Sequence, residues 1–193
     1  MRHMTTLFAA ALTAVVLTGC FSPDGNSIGK QKANVAKMST AGLDMIYERN
    51  PGLKRELTRA AGYGVYKNLG IHWFVPSTES GWGFIHNNLT GKDTYMKLFS
   101  IGLGLGLGFR DFRSILVFKT QESIKEFVNS GWSGHGQVNA AAKFGSAGGS
   151  AAAAAEVMTG VKLYKVTVNG LVLQATFQGS KTWKNNYLNE EKK

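Results

Sequence analysis

Cysteine occurs once in the 193 residues, proline three times, and Asp and Glu together only 12 times against 22 Lys and Arg. A single cysteine excludes an internal disulfide and a Cys-rich zinc site. Nothing in the chain resembles the run of about 20 apolar residues that a membrane-spanning helix needs. The shortage of acid leaves a formal charge of +10, which calls for an anionic partner: nucleic acid, a membrane face or an acidic polymer. What is abundant is glycine, at 24 residues, within a chain that is 44% hydrophobic. That composition excludes a disordered polyelectrolyte, and the length suits one domain with a core of its own.

The first twenty residues, MRHMTTLFAAALTAVVLTGC, have the three parts of an export signal. Arg2 and His3 are the basic start, Leu7 to Leu17 the apolar middle, and small residues the close. Leu17-Thr18-Gly19-Cys20 resembles the bacterial lipobox, in which the cysteine is acylated and the chain is cut before it. That resemblance implies residues 1–19 as signal peptide and Cys20 as the lipid attachment site, carrying diacylglycerol and an amino-terminal acyl chain. The mature chain would keep 174 residues and, with Arg2 gone, a charge of +9. Several acyl chains anchor far more firmly than one. Phe21, rather than Asp, after the cysteine implies the outer membrane, with the domain facing the periplasm. Export makes nucleic acid an unsuitable partner and leaves acidic lipid headgroups, lipopolysaccharide phosphates or wall polymers.

Residues 20–29, with Pro23 and Gly25, read as a tether. Lys30 to Arg49 carries apolar residues at Val35, Met38, Leu43, Met45 and Ile46, which predicts a helix. Asn50 and Pro51 are a cap and first-turn pair for a second helix to Ala61, stopped by Gly62. It is basic and amphipathic: Lys54, Arg55 and Arg59 surround Leu53 and Leu57. Such a face suits either a solvated surface over a packed stripe or contact with a membrane.

From residue 62 the texture turns to glycine, aromatic and β-branched residues. Tyr63–Lys67, Ile71–Val75 and Gly81–His86 are short strand candidates separated by Gly70 and by residues 76–80. A turn is expected at Asn87–Asp93. Thr94 to Ser100 leads into IGLGLGLGF, whose strict alternation predicts a strand with one glycine face, close to another element, a tight bend or a ligand. Arg113–Lys119 is a further strand, and Thr120 caps a helix over Gln121–Asn129 that Gly131 ends. Ala151–Ala155 has helical propensity, but the small residues of Gly134–Phe144 and Ser150–Met158 on both sides of a glycine-rich loop favour a hairpin, and Asn169-Gly170 marks a second expected hairpin between VKLYKVTV and LVLQATF. Gln178 to Lys193 reads as a polar tail, loose at residues 190–193. The elements predict an α+β domain over residues 30–189: N-terminal helices packed on a strongly curved antiparallel β-sheet or small β-barrel.

Three segments, ERNPGLKRELTRAAGYGVYKN, FSIGLGLGLGFRDFRSILVFKTQESIKEFVNSGW and GLVLQATFQGSKTW, resemble the SYLF family of lipid-binding domains, which includes bacterial lipoproteins and actin-bundling-related eukaryotic proteins. The likeness covers roughly Met38 to Trp183. It departs between Asn68 and Ser80, where the chain is longer than the family's first strand connection. The Lys181-Thr182-Trp183 segment is also similar to one in an envelope-integrity family with a small β-barrel. The SYLF resemblance implies binding of anionic phospholipid through basic residues near the amino-terminal helices, with Lys54, Arg55, Arg59 and Lys67 as the contacts. Actin is not expected as a partner. A non-enzymatic lipoprotein that binds a protein partner or peptidoglycan is the alternative.

Catalytic patterns are not found in the sequence. His72, His86 and His135 have no metal-ligand spacing, Ser133-Gly134-His135 lacks a nucleophile elbow, and the glycine run has no phosphate-cradle motif. Asp111 and Glu122 do not make a recognisable acid pair. The chain is therefore expected not to be an enzyme and to use no cofactor beyond the acyl groups on Cys20. Trp73, Trp82, Trp132, Trp183, Phe74 and Phe84 could pack the core, line an apolar cavity or sit at a membrane interface.

Overall fold

The computed structural model describes residues 22–73, 77–103, 107–131, 155–167 and 177–190. Helix α1 spans Ile28–Arg49. Ser27 caps it by accepting from the Lys30 N–H, and the residues before it are held in place: Asn34 donates to Asp24 O and Gln31 to Gly25 O. The segment read as a tether thus packs on the helix from Ser22 onward, and Pro23 is buried. Helix α2, Gly52–Arg59, is shorter than expected. Pro51 takes the cap position and Asn50 contributes its carbonyl to Leu53 N–H, with no side-chain cap. Gly62 opens the next strand instead of merely stopping the helix.

Seven strands follow: β1 Gly62–Trp73, β2 Ser77–Asn87, β3 Asp93–Leu103, β4 Leu107–Phe118, β5 Ala155–Met158, β6 Val161–Thr167 and β7 Phe177–Lys184. Helix α3, Gln121–Ser130, lies between β4 and β5, and the short α4, Asn186–Asn189, closes the described chain. All pairings are antiparallel, in the order β5-β6-β4-β1-β2-β3-β7. The α+β expectation holds, with helices on a curled sheet. Helix α3 touches both β4 and β7, although three strands separate those two in the sheet, so the sheet must bend toward it.

Several strand boundaries differ from the sequence expectation. Gly70 does not interrupt β1, which pairs continuously with β4 from Gly62↔Phe118 to Trp73↔Leu107. The extra length between Asn68 and Ser80 is therefore mostly strand. The alternating glycine run is not one strand either: it ends β3 and begins β4, which have different neighbours. The supposed tail forms β7 and α4, with β7 pairing β3 from Leu103↔Phe177 to Met96↔Lys184. The cap of α3 is as predicted, with Thr120 and Ser123 in a reciprocal capping box and Gly131 at φ 65° beyond the helix. The β5–β6 hairpin, which turns at Gly160, differs from both expected hairpins: β6 lies between β5 and β4, and Phe177 pairs with Leu103 of β3 instead. The turn of the first late hairpin and the Asn169-Gly170 turn lie outside the described residues.

Alternation along the strands divides the core in two. On the concave face Tyr66, Ile85, Met96, Leu98, Leu116, Phe118 and Val161 pack with Ile124 and Phe127 of α3. On the convex face Val35 and Met38 of α1 cover Val65, Trp82 and Phe84, while Ile46, Leu53 and Leu57 cover Ile115, Val117, Tyr164 and Val166. Each of these large side chains contributes roughly 1.5–3 kcal/mol by leaving water. Glycine makes room at the tightest point: a Cβ on Gly83 would collide with Val65 O and lie 2.8 Å from Tyr66 Cα. The buried Tyr66 ring fills the space that this missing side chain leaves.

Candidate functional site: a basic groove beside helix α2

Helix α2 turns Leu53 and Leu57 inward, 1% and 4% exposed, because they stand one turn apart. Arg55 and Arg59, also one turn apart, are then left together on another side of the helix. They border a groove of about 660 Å³ lined by Gly52, Arg55, Glu56, Arg59, Ala60, Val117, Lys119 and Lys162. Strand β4 delivers Lys119 just past its end, and the β4–β6 register, which pairs Val117 with Lys162, delivers the fourth cation.

Glu56 is the one carboxylate among these lining residues. Its Oε1 lies 2.6 Å from Lys162 Nζ, and its Oε2 accepts from the Tyr164 hydroxyl at 2.7 Å. Partial burial alone would raise the Glu56 carboxyl. The hydrogen bonds from Lys162 and Tyr164, with the charges of Lys162 and Lys119, outweigh that and hold it below its ordinary value. Burial, together with the adjacent carboxylate, pushes the Tyr164 phenol up. Lys119 pairs with Glu156 at 3.3 Å, both half exposed. Arg55 and Arg59 are in no ion pair among the described residues. The groove therefore has a cationic surplus and fork-shaped donors free to meet phosphate oxygens.

Of the contacts expected from sequence, Arg55 and Arg59 line this groove, and Lys54 is exposed on α2 outside its lining. Lys67 is elsewhere, half-buried in a cleft of about 150 Å³ with Ser22, Asp24, Leu69, Ser80, Trp82 and Asp111. Cys20 lies outside the described residues. Sequence reading missed Glu56, Lys119, Lys162 and Tyr164. Period two puts Lys162 and Tyr164 on one strand face, but only the sheet order brings that face to α2.

A second polar constellation sits on the concave face. Asn68 Nδ2 donates to Glu79 Oε1 at 2.5 Å and to Ser114 Oγ at 3.0 Å, and Lys165 Nζ lies 3.4 Å from Glu79 Oε2. Lys165 also stands over the Phe112 ring at 4.9 Å. Asn68, Glu79 and Ser114 are all buried. Elsewhere, His86 Nδ1 meets Asp93 Oδ1 at 2.7 Å. Trp82 and Phe84 are core residues, whereas Trp183 is 36% exposed. Among the described residues no helix is long and apolar enough to cross a membrane.

No family model matches the chain. Over 146 residues it is 30% identical to Beta cell expansion factor A of Aeromonas veronii, a likeness that covers 76% of this chain and 54% of that protein. The chain thus spans about half the length of the curated relative it matches.

Proposed function

We propose that this chain is a lipoprotein with a SYLF-like domain, acylated on Cys20, and that it binds anionic phospholipid without catalysing a reaction. It would sit in the outer membrane, facing the periplasm, and support the organisation or integrity of envelope lipid. The observation that carries this reading is the convergence of Arg55, Arg59, Lys119 and Lys162 on one groove around the single carboxylate of Glu56. Four cations in a cleft of that size suit a phosphate headgroup, with the arginines as bidentate donors. The lipobox and the sequence segments that resemble SYLF proteins support the same class of ligand.

Co-sedimentation of the full chain with phosphatidylglycerol vesicles tests the groove. Binding should weaken with added salt. It should fall roughly tenfold or more when Arg55 and Arg59 both become Glu, since each surface cation is worth about 1 kcal/mol near an anionic membrane. Unchanged binding in that variant would overturn the assignment. A single adduct with a protein or with peptidoglycan after crosslinking in cells would favour the alternative, an interaction lipoprotein. Metabolic labelling with a fatty acid tests Cys20, because Cys20→Ser should lose the label.

A further inference from the structure

The convex face of the sheet is covered unequally. Helix α1 packs on β1, β2 and β6 and reaches β3 at Tyr95, whose ring Lys32 overlies at 5.1 Å, but Ile101 of β3 and Lys181 and Trp183 of β7 stay exposed. Met96, Leu98 and Ser100 point to the concave side: the first two are in its core and the third bonds Ser180 there, Oγ to Oγ at 2.7 Å. Alternation therefore places Lys97, Phe99 and Ile101 on the convex side, and Lys181 and Trp183 beside them. The register interleaves them, with Lys97 opposite Trp183 and Phe99 opposite Lys181. Ile101 is 52% exposed and Trp183 36%, and Lys181 is also exposed. The row contains two cations and no carboxylate.

This face also adjoins the point where the described chain begins. Ser22 lines the small cleft with Ser80 and Trp82, and those two residues pair with Phe99 and Lys97. Cys20 is two residues upstream, within roughly 7 Å of chain. The basic groove, by contrast, is reached from that cleft by six residues of β4, from Asp111 to Val117, or roughly 20 Å. Groove and face thus lie at different places on the convex side.

We infer that the β3–β7 face, with Lys97, Ile101, Lys181 and Trp183, is a docking surface for the interfacial zone of an anionic bilayer, the one into which Cys20 is anchored. Tryptophan and isoleucine enter the boundary between headgroups and acyl chains, and the lysines, long enough to reach outward, meet the phosphates. Charge complementarity and continuity with the anchoring point select this occupant. The inference rests on the reading that the chain engages anionic lipid, but it uses different residues from the groove.

The test uses the full chain with Cys20→Ser, so that acyl chains do not drive binding, and mixed phosphatidylglycerol and phosphatidylcholine vesicles with brominated acyl chains. Bromine should quench the tryptophan fluorescence, and Trp183→Phe should remove that quenching while the vesicles still bind. Lys97→Glu with Lys181→Glu should weaken binding roughly tenfold or more. Quenching that survives in Trp183→Phe, or unchanged binding by the double Glu variant, overturns the inference. So does concentration-dependent self-association that Ile101→Asp abolishes in the absence of any bromine quenching, because the face would then join copies of this chain. The groove is judged separately by Arg55→Glu with Arg59→Glu. If that pair loses binding while the face variants do not, the inference fails and the groove stands; the reverse pattern leaves the face standing and removes the groove.

Discussion

Lys162 Nζ on β6 lies 2.6 Å from Glu56 Oε1 on α2, and Tyr164, two residues further along the same strand face, donates its hydroxyl to the other oxygen of that carboxylate. One acidic side chain thus fastens the second helix to the sheet and occupies the middle of an otherwise cationic groove. Its two effects oppose each other: it stabilises the fold and it competes with any anion that enters.

Glu56→Gln should separate those effects. Loss of the charge-assisted bond costs about 1 kcal/mol of stability at pH 7, kept small by the group's partial exposure. The same change should tighten binding to phosphatidylglycerol vesicles by about fivefold, since one competing charge is gone. The pH dependence follows from the lowered carboxyl. A carboxylate whose folded-state value is depressed contributes its stability above its unfolded value and loses it as pH falls through the folded one. In urea denaturation the difference between wild type and Glu56→Gln should therefore be full at neutral pH and shrink below roughly pH 5. A gap of constant size down to pH 3 would contradict this.

Asn88, in the turn between β2 and β3, positions the groove without touching a ligand. Its Nδ2 donates to Leu57 O at 2.8 Å and to Ala60 O at 2.9 Å, carbonyls at the end of α2 that have no partner within the helix. Asn88→Ala should cost about 1 kcal/mol by leaving them to water. Asn88→Asp should cost more, because it sets a carboxylate against carbonyl oxygens at the negative end of a helix. Thermal unfolding checks the order Asn, Ala, Asp, and anion binding should decline in that order as α2 loosens.

Two glycines give opposite outcomes on replacement. In Gly83→Ala the new methyl meets the backbone of β1, at Val65 O and Tyr66 Cα, which cannot move without breaking the ladder. A loss of about 3 kcal/mol is expected, the upper range for overpacking. Gly29, in the first turn of α1, has nothing within 4 Å of the same position, so Gly29→Ala should stabilise by about 0.5 kcal/mol through helix propensity. Denaturation of both variants measures the contrast.

Local signals were legible in the sequence and pairings were not. Thr120, the apolar spacing of Ile124 and Phe127, and Gly131 define α3 almost residue for residue, because caps and periodicity are short-range properties. The run from Ile101 to Phe109 has equally clear periodicity, yet period two cannot say where one strand stops and another, with different neighbours, begins. Residues Gln178 to Lys184 looked like a polar tail because their strand character depends on β3 offering an edge, more than 70 positions away in the register Leu103↔Phe177. The groove divides the same way. Arg55 and Arg59 were visible from helical spacing, whereas Lys119 and Lys162 reach them only through the order in which β4 and β6 lie side by side.

The buried pair of Asn68 and Glu79 allows a last prediction. Asn68 is 0% exposed and Glu79 3%, and the asparagine's amide hydrogens satisfy Glu79 Oε1 and Ser114 Oγ. Its own Oδ1 has no hydrogen-bond partner among the described residues. Replacing the amide by a carboxyl in Asn68→Asp keeps the shape but removes the donor and places two acidic groups 2.5 Å apart. Lys165, 3.4 Å from Glu79 and partly exposed, cannot neutralise both. One of the two must then hold a proton that it would release in the unfolded chain, so destabilisation of about 3 kcal/mol is expected at pH 7. Because the folded variant binds the extra proton, that penalty should diminish as pH falls toward the carboxylate range, where the introduced carboxyl, once protonated, can donate to Glu79 as the amide did. Asn68→Ala, with no acid to protonate, should show a smaller loss, about 2 kcal/mol, that does not recover in this way. Denaturation of the two variants at pH 7 and pH 5 distinguishes a missing donor from a forced proton, and equal pH profiles would rule out the shared-proton account.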